Sequence, residues 1–148
     1  MNCILALTAL ICLYPIDTYN RLEIVYIQAL RCTTADYRIV SQAAERNNCF
    51  GDNFIILLSI WQSENGRAGR EFGVLHPRAI DTNLDTQAGW AAATVQKNRQ
   101  RWIDSGRQGE YIDFLANRYC PAESDPVGNV NWKRNVQFWV NKLKEVKI

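Results

Sequence analysis

The chain has 148 residues, of which 47% are hydrophobic and 22% charged, and its net charge is +2. Such a length and balance suit one compact domain with a core of its own and exclude a disordered chain. So small a charge makes no electrostatic case for a nucleic-acid partner, and no recognition motif supplies one.

In chain order, positions 3–14 are almost wholly apolar, too few to span a bilayer. No Lys or Arg precedes them, and Pro15 and Asp17 close the run. Two readings stand for the N-terminal segment 1–31, a weak signal peptide or a helix packed on the domain that begins at 32. No stable membrane span is expected.

Helical patterns follow over 18–30 and 36–47, the second preceded by Thr33 and Thr34 as caps. Asp52 is placed to cap a helix over 53–64, where Phe54, Ile55, Leu57, Leu58, Ile60 and Trp61 cover most of the circumference. A helix apolar on nearly all sides is a buried one. Asn65-Gly66 ends it, with glycine as the residue suited to the left-handed stop.

After a loop over 67–85, with room for a short hairpin between Arg70 and Ile80, Thr86 is placed to cap a helix over 87–103. Its start, Ala88, Gly89, Ala91, Ala92 and Ala93, is thin, which suits close approach of a ligand or of another helix. Further helices fit 110–118 and 132–144, the last turning Trp132, Val136, Trp139, Val140 and Leu143 inward. Asp125-Pro126 and Asn131 read as turn and cap residues. The expected fold is therefore mainly α.

Cysteines stand at 3, 12, 32, 49 and 120, with no CxxC pair and no histidine at ligand spacing. Neither a metal nor a cofactor is expected. Cys32, Cys49 and Cys120 are either partners in a disulfide or buried free thiols. The basic groups Lys97, Arg99, Arg101, Arg107 and Lys133, Arg134, Lys142, Lys144, Lys147 read as solvated helix faces.

Among the acids, Glu64 is singled out by phase. Residues three, four and seven apart share a helix face, so Glu64 continues the stripe of Leu57, Ile60 and Trp61. Apolar surroundings and the negative end of a helix dipole both keep a carboxyl protonated nearer neutral pH, as a general acid requires. Periodicity equally allows Glu64 to emerge at the frayed end, or to pair with Arg67 or Arg70.

More specific is the order of short segments after it. Ser63-Glu64-Asn65-Gly66 is followed by Arg70-Glu71-Phe72-Gly73-Val74-Leu75, then by 87–102, by Tyr111 to Pro121 ("YIDFLANRYCP"), and by Asp125-Pro126 through Asn131-Trp132 to Asn135-Val136. This resembles the lysozyme-like superfamily, in particular its bacterial glucosaminidase and lytic transglycosylase branches, over roughly 36–143. Asn65 stands where that family usually has a small hydroxyl residue.

The resemblance implies a compact lysozyme-like catalytic domain over 32–148, acting as a monomer on peptidoglycan or a related glycan, in an exported or phage-encoded protein. Glu64 would be the catalytic acid, and Tyr119 would border the active site as a second catalytic residue, against the alternative of a core aromatic with a satisfied hydroxyl. Phe72, Gly73 and Val74 would form the cleft wall, against the alternative of an ordinary turn followed by a core contact. Trp90 is a candidate for stacking on a sugar, against the alternative of a core aromatic. His76, the lone histidine, reads as a loop residue. In hydrolysis a second acid is needed, for which Glu71, Asp81, Asp85 and Asp125 are candidates. In the anhydro-forming route the substrate's own hydroxyl attacks and no second acid is required. A non-catalytic glycan-binding or structural module on the same fold is the competing expectation.

Overall fold

The computed structural model describes residues 21–146. The apolar run at 3–14, Cys3, Cys12 and the first residues of the 18–30 helix lie outside them. The first described segment, α1, is helical over 21–30. It is followed by α2 (Thr34–Arg46), α3 (Asp52–Glu64), α4 (Leu84–Asp104), α5 (Tyr111–Tyr119) and α6 (Pro126–Lys144). The fold is mainly α, as the periodicity predicts, and no described helix is long and apolar enough to cross a membrane.

α3 is the central element. It packs chiefly on α6 and also on α4, while α4 packs on α2 and α5. Leu57, Leu58, Ser59 and Ile60 are all 0% exposed, and the Ser59 hydroxyl is satisfied by donating to the Ile55 carbonyl at 2.7 Å. Each fully buried Leu or Ile contributes about 1.5–3 kcal/mol, so α3 is held by burial rather than by its caps. α6 supplies Trp132, Val136, Val140 and Leu143 to the same core. Trp139 is turned less far inward than expected, with Lys142 Nζ 4.5 Å from its ring centroid. Leu30 of α1 is also buried, with Tyr26, Ile27 and Ala29 packed alongside.

Several ends differ from expectation. Gly51, not Asp52, precedes the first turn of α3. Asn83, not Thr86, caps α4, accepting from Thr86 N–H at 2.8 Å, so the helix starts three residues earlier. α6 begins at Pro126 with Asp125 as its cap, accepting from Gly128 N–H at 2.7 Å. Asn131 therefore lies inside a helix and caps nothing. Thr33 does cap α2, as its position predicts.

At the end of α3 it is Asn65 that takes the left-handed conformation, with φ 42°. Gly66 serves a different need, since a Cβ there would lie 1.8 Å from the Arg70 carbonyl oxygen. Between α3 and α4 the chain forms turns without any strand, so the hairpin expected within 70–80 does not occur. Cys32, Cys49 and Cys120 are free thiols, and burial pushes the Cys49 thiol up to about 12.

Candidate functional site

Glu64 is the last residue of α3, at the point where the chain leaves the core for the 65–83 loop. Its half-buried carboxyl accepts a hydrogen bond from the Trp132 indole N–H of α6 at 2.9 Å. Burial raises its pKa above the ordinary glutamate value, and the Trp132 hydrogen bond, which favours the charged form, opposes that only in part. Pairing with Arg67 or Arg70 does not occur, because both guanidinium groups bind Asp81, at 2.9 and 3.2 Å. Asp81 is thereby held below the usual carboxylate range, first by the Arg70 hydrogen bond. Among the described residues no cation therefore neutralises Glu64 in place of a proton.

Replacing Trp132 with Phe would remove a donor that stabilises the charged carboxylate. The expected result is a further rise in the Glu64 pKa, read by carbon NMR of the carboxyl. An unchanged or lower value would mean that the indole does not stabilise the carboxylate.

Gly73 lies directly against the carboxyl. At φ 65° it occupies the left-handed region, and a Cβ on it would meet Glu64 Oε2 at 2.5 Å. Only glycine lets the backbone come this close without strain. Gly73→Ala is expected to cost about 2–3 kcal/mol from backbone strain and displacement of the carboxyl together. A chemical-denaturation midpoint within error of wild type would refute the contact.

Gln87 holds the loop that presents Gly73. This fully buried side chain accepts from the N–H groups of Phe72 and Val74, at 3.3 and 3.4 Å, and donates to the carbonyls of Val74 and Ala79, at 3.0 and 2.8 Å. One amide thus bonds both chain neighbours of Gly73. The ends of the loop are cinched by Asp81 N–H on the Gly69 carbonyl at 2.9 Å and by the Arg67, Arg70 and Asp81 cluster.

Tyr119, at the end of α5, stacks on Trp132 with ring centroids 5.0 Å apart. Its hydroxyl is buried and has no hydrogen-bond partner among the described residues. Burial, reinforced by the Glu64 charge, raises its pKa, which favours the neutral hydroxyl, a hydrogen-bond donor. Glu64, Trp132, Tyr119 and Gly73 therefore form one cluster, drawn from the ends of α3 and α5, from α6 and from the loop.

Beside this cluster opens a cavity of about 380 Å³. Gly73, Val74, Trp90 and Tyr119 all line it, with Leu75, His76 and a face of α4. Glu64 is not itself a lining residue; it adjoins the cavity through Gly73. Phe72 does not line it either. That side chain is 0% exposed and stacks on Trp61 at 5.9 Å, so the expectation of a cleft contact gives way to a core role. Trp90 takes the cavity side of its two readings, with His76 stacked on it at 4.3 Å.

No family model, no curated protein and no solved structure matches this chain.

Of the candidate second acids, Asp81 is bound to two arginines, Asp85 pairs with Arg46, and Asp125 caps α6. Glu71 keeps one buried oxygen without a hydrogen-bond partner among the described residues. Among the described residues, no group of three or more His, Cys, Asp or Glu side chains is arranged to hold a metal ion.

Sequence reasoning missed the roles of Trp132, Gln87 and His76. For two of them a signal was present. A buried tryptophan needs an acceptor for its N–H, and Gln87 is in phase with Ala91 and Val95 on the inward face of α4.

Proposed function

We propose that this chain cleaves the glycan strand of peptidoglycan or a related polymer of N-acetylated amino sugars, with Glu64 as general acid and base. The observation that carries the reading is the Glu64 carboxyl itself. It ends a buried helix, its pKa is raised by burial, no arginine neutralises it, and it lies against a glycine that lines a cavity large enough for sugar rings. The ordered segments resembling the lysozyme-like superfamily point the same way.

In this mechanism protonated Glu64 gives its proton to the glycosidic oxygen, the bond to the anomeric carbon breaks, and an oxocarbenium-like centre forms. The Tyr119 hydroxyl, whose capacity is not taken up by the fold, donates to the substrate. Three of the four other acid candidates are committed elsewhere, which favours the anhydro-forming route. There a hydroxyl of the same sugar attacks the anomeric carbon and its proton passes to the Glu64 carboxylate, regenerating the acid. Hydrolysis would instead recruit Glu71 to activate water.

A wall-digestion assay with mass analysis of the fragments tests this. Anhydro ends support the first route, reducing ends the second, and walls left intact by the wild-type protein overturn both. A second reading, a glycan-binding module without turnover, is favoured by the position of Glu64 behind Gly73 rather than in the cavity lining. Glycan binding without fragment release would establish it.

A further inference from the structure

We propose that the part of this cavity formed by Lys97, Arg101 and Arg118 is a subsite for a carboxylate carried on the sugar chain, so that the preferred ligand is an acidic glycan rather than a neutral one. The inference rests on the glycan reading above but not on turnover.

Trp90, Ala93, Thr94, Lys97, Asn98 and Arg101 all line the cavity. Their spacing puts them on one face of α4, over a length of roughly 16 Å. The face changes character along that length, from an aromatic end, where Trp90 carries the stacked His76, to a cationic end at Lys97 and Arg101. Arg118 joins it from α5, one residue before Tyr119. No Asp or Glu lines the cavity.

The charge is left uncompensated by the arrangement of the neighbouring acids. On α4, Asp85 pairs with Arg46, and Asp104 accepts from Gln100 at 2.8 Å. The one acid of α5, Asp113, pairs with Lys133 at 3.3 Å. Among the described residues none of the three cavity cations is paired with a carboxylate. Buried Asn98 accepts from Arg101 Nη1 at 3.4 Å, which steers that guanidinium along the cavity wall. By contrast Arg99, which the sequence also groups with them, is withdrawn: it donates to Asn53 at 2.8 Å and lies 3.5 Å over the Tyr111 ring.

An aromatic platform followed by three unpaired cations is complementary to a sugar ring bearing an acid. The ring packs beside the stacked Trp90 and His76 and the carboxylate meets the cations, with Arg capable of a two-pronged contact. A carboxylate on an attached peptide would be chemically similar, and a nucleic-acid strand would also meet the positive charge. The single short cationic end and the neutral remainder of the lining favour the glycan.

The test uses the full chain carrying Glu64→Gln, so that ligands are not consumed, with affinities read by calorimetry. Probes are a neutral tetramer of N-acetylglucosamine, a peptide-free tetrasaccharide alternating N-acetylglucosamine with N-acetylmuramic acid, the same tetrasaccharide bearing stem peptides, and a thymidine oligonucleotide. The peptide-free acidic sugar is expected to bind about tenfold tighter than the neutral one. That advantage should fall about threefold in each of Lys97→Gln, Arg101→Gln and Arg118→Gln, and should shrink in raised salt, with neutral-sugar binding unchanged.

Equal affinity for the acidic and neutral sugars overturns the proposal. So does a gain seen only with the peptide-bearing sugar, or tightest binding to the oligonucleotide. The two readings fail separately. Walls digested by the wild-type protein, without acid preference in binding, would remove the subsite and leave cleavage. Acid preference in a chain that digests nothing would leave the subsite and remove the catalytic role of Glu64.

Discussion

Glu64→Gln is expected to lower wall cleavage by about 100-fold to 10,000-fold, the range for loss of a positioned general acid. Gln keeps the shape and can still accept the Trp132 N–H, so binding of glycan should persist while turnover falls. On the proposed mechanism the active form of the wild-type protein at the start of the reaction would be the protonated one. Cleavage should therefore fall as pH rises through the raised Glu64 pKa, and this limb should be absent from the residual activity of the variant.

The same shift appears in stability. A carboxyl with a folded pKa above its unfolded value contributes stability that is fully present below the unfolded pKa and is lost as pH rises through the folded one. Wild type should accordingly gain on Glu64→Gln as pH falls from neutral towards that lower limit. Parallel melting curves would show it, and a constant difference across that window would contradict a raised Glu64 pKa.

For stability the largest effect is expected at Gln87. Leucine there would fill much of the space but leave the N–H groups of Phe72 and Val74 and the Val74 carbonyl without their partner, while the Ala79 carbonyl would keep the Thr82 hydroxyl. Unmet buried groups cost about 1–3 kcal/mol each, and two of these bonds are long, so a total of about 3–5 kcal/mol is expected from Gln87→Leu. Loss of loop geometry should also depress turnover in protein that remains folded, because the amides on either side of Gly73 are the ones released. A denaturation midpoint shifted by less than the equivalent of about 1 kcal/mol would mean that another contact holds the loop.

The helices were legible where burial follows from phase. The all-round apolar pattern of α3 identified the central element, and Val136, Val140 and Leu143 marked the inward side of α6. Starts were less legible, because Asn83 and Thr86 are both competent caps and the choice between them depends on the loop before them. The absent hairpin has a related cause. Bonds that a second strand would have given to Phe72 and Val74 come from one side chain of α4, and local sequence does not announce such a substitution.

At the site, Glu64, Gly73 and Tyr119 were within reach of motif and phase, while Trp132 donates to Glu64 from 68 residues away. That a buried indole needs an acceptor is legible locally, but which acceptor it finds is a tertiary fact. Phe72 was assigned to the cleft because it adjoins Gly73, yet its ring turns to Trp61, and it is the residues after it, from Gly73 on, that line the cavity. Lys97 and Arg101 read as a solvated face, and exposed they are, but on the concave side of the molecule.

One feature of α4 bears on how such a groove would diversify. Its inner side is built from Ala88, Ala91 and Ala92, each 0% exposed, and it packs on α2, where Ala43 and Ala44 are buried in turn. Its outer side carries the tryptophan and the cations. Enlarging an inner alanine by a methyl group or two would push the whole rod outward, narrowing or reshaping the binding trough without altering any residue that a ligand touches. If the groove binds glycan as proposed, ligand girth would thus be adjustable from the rear of the helix, and ligand charge from its front.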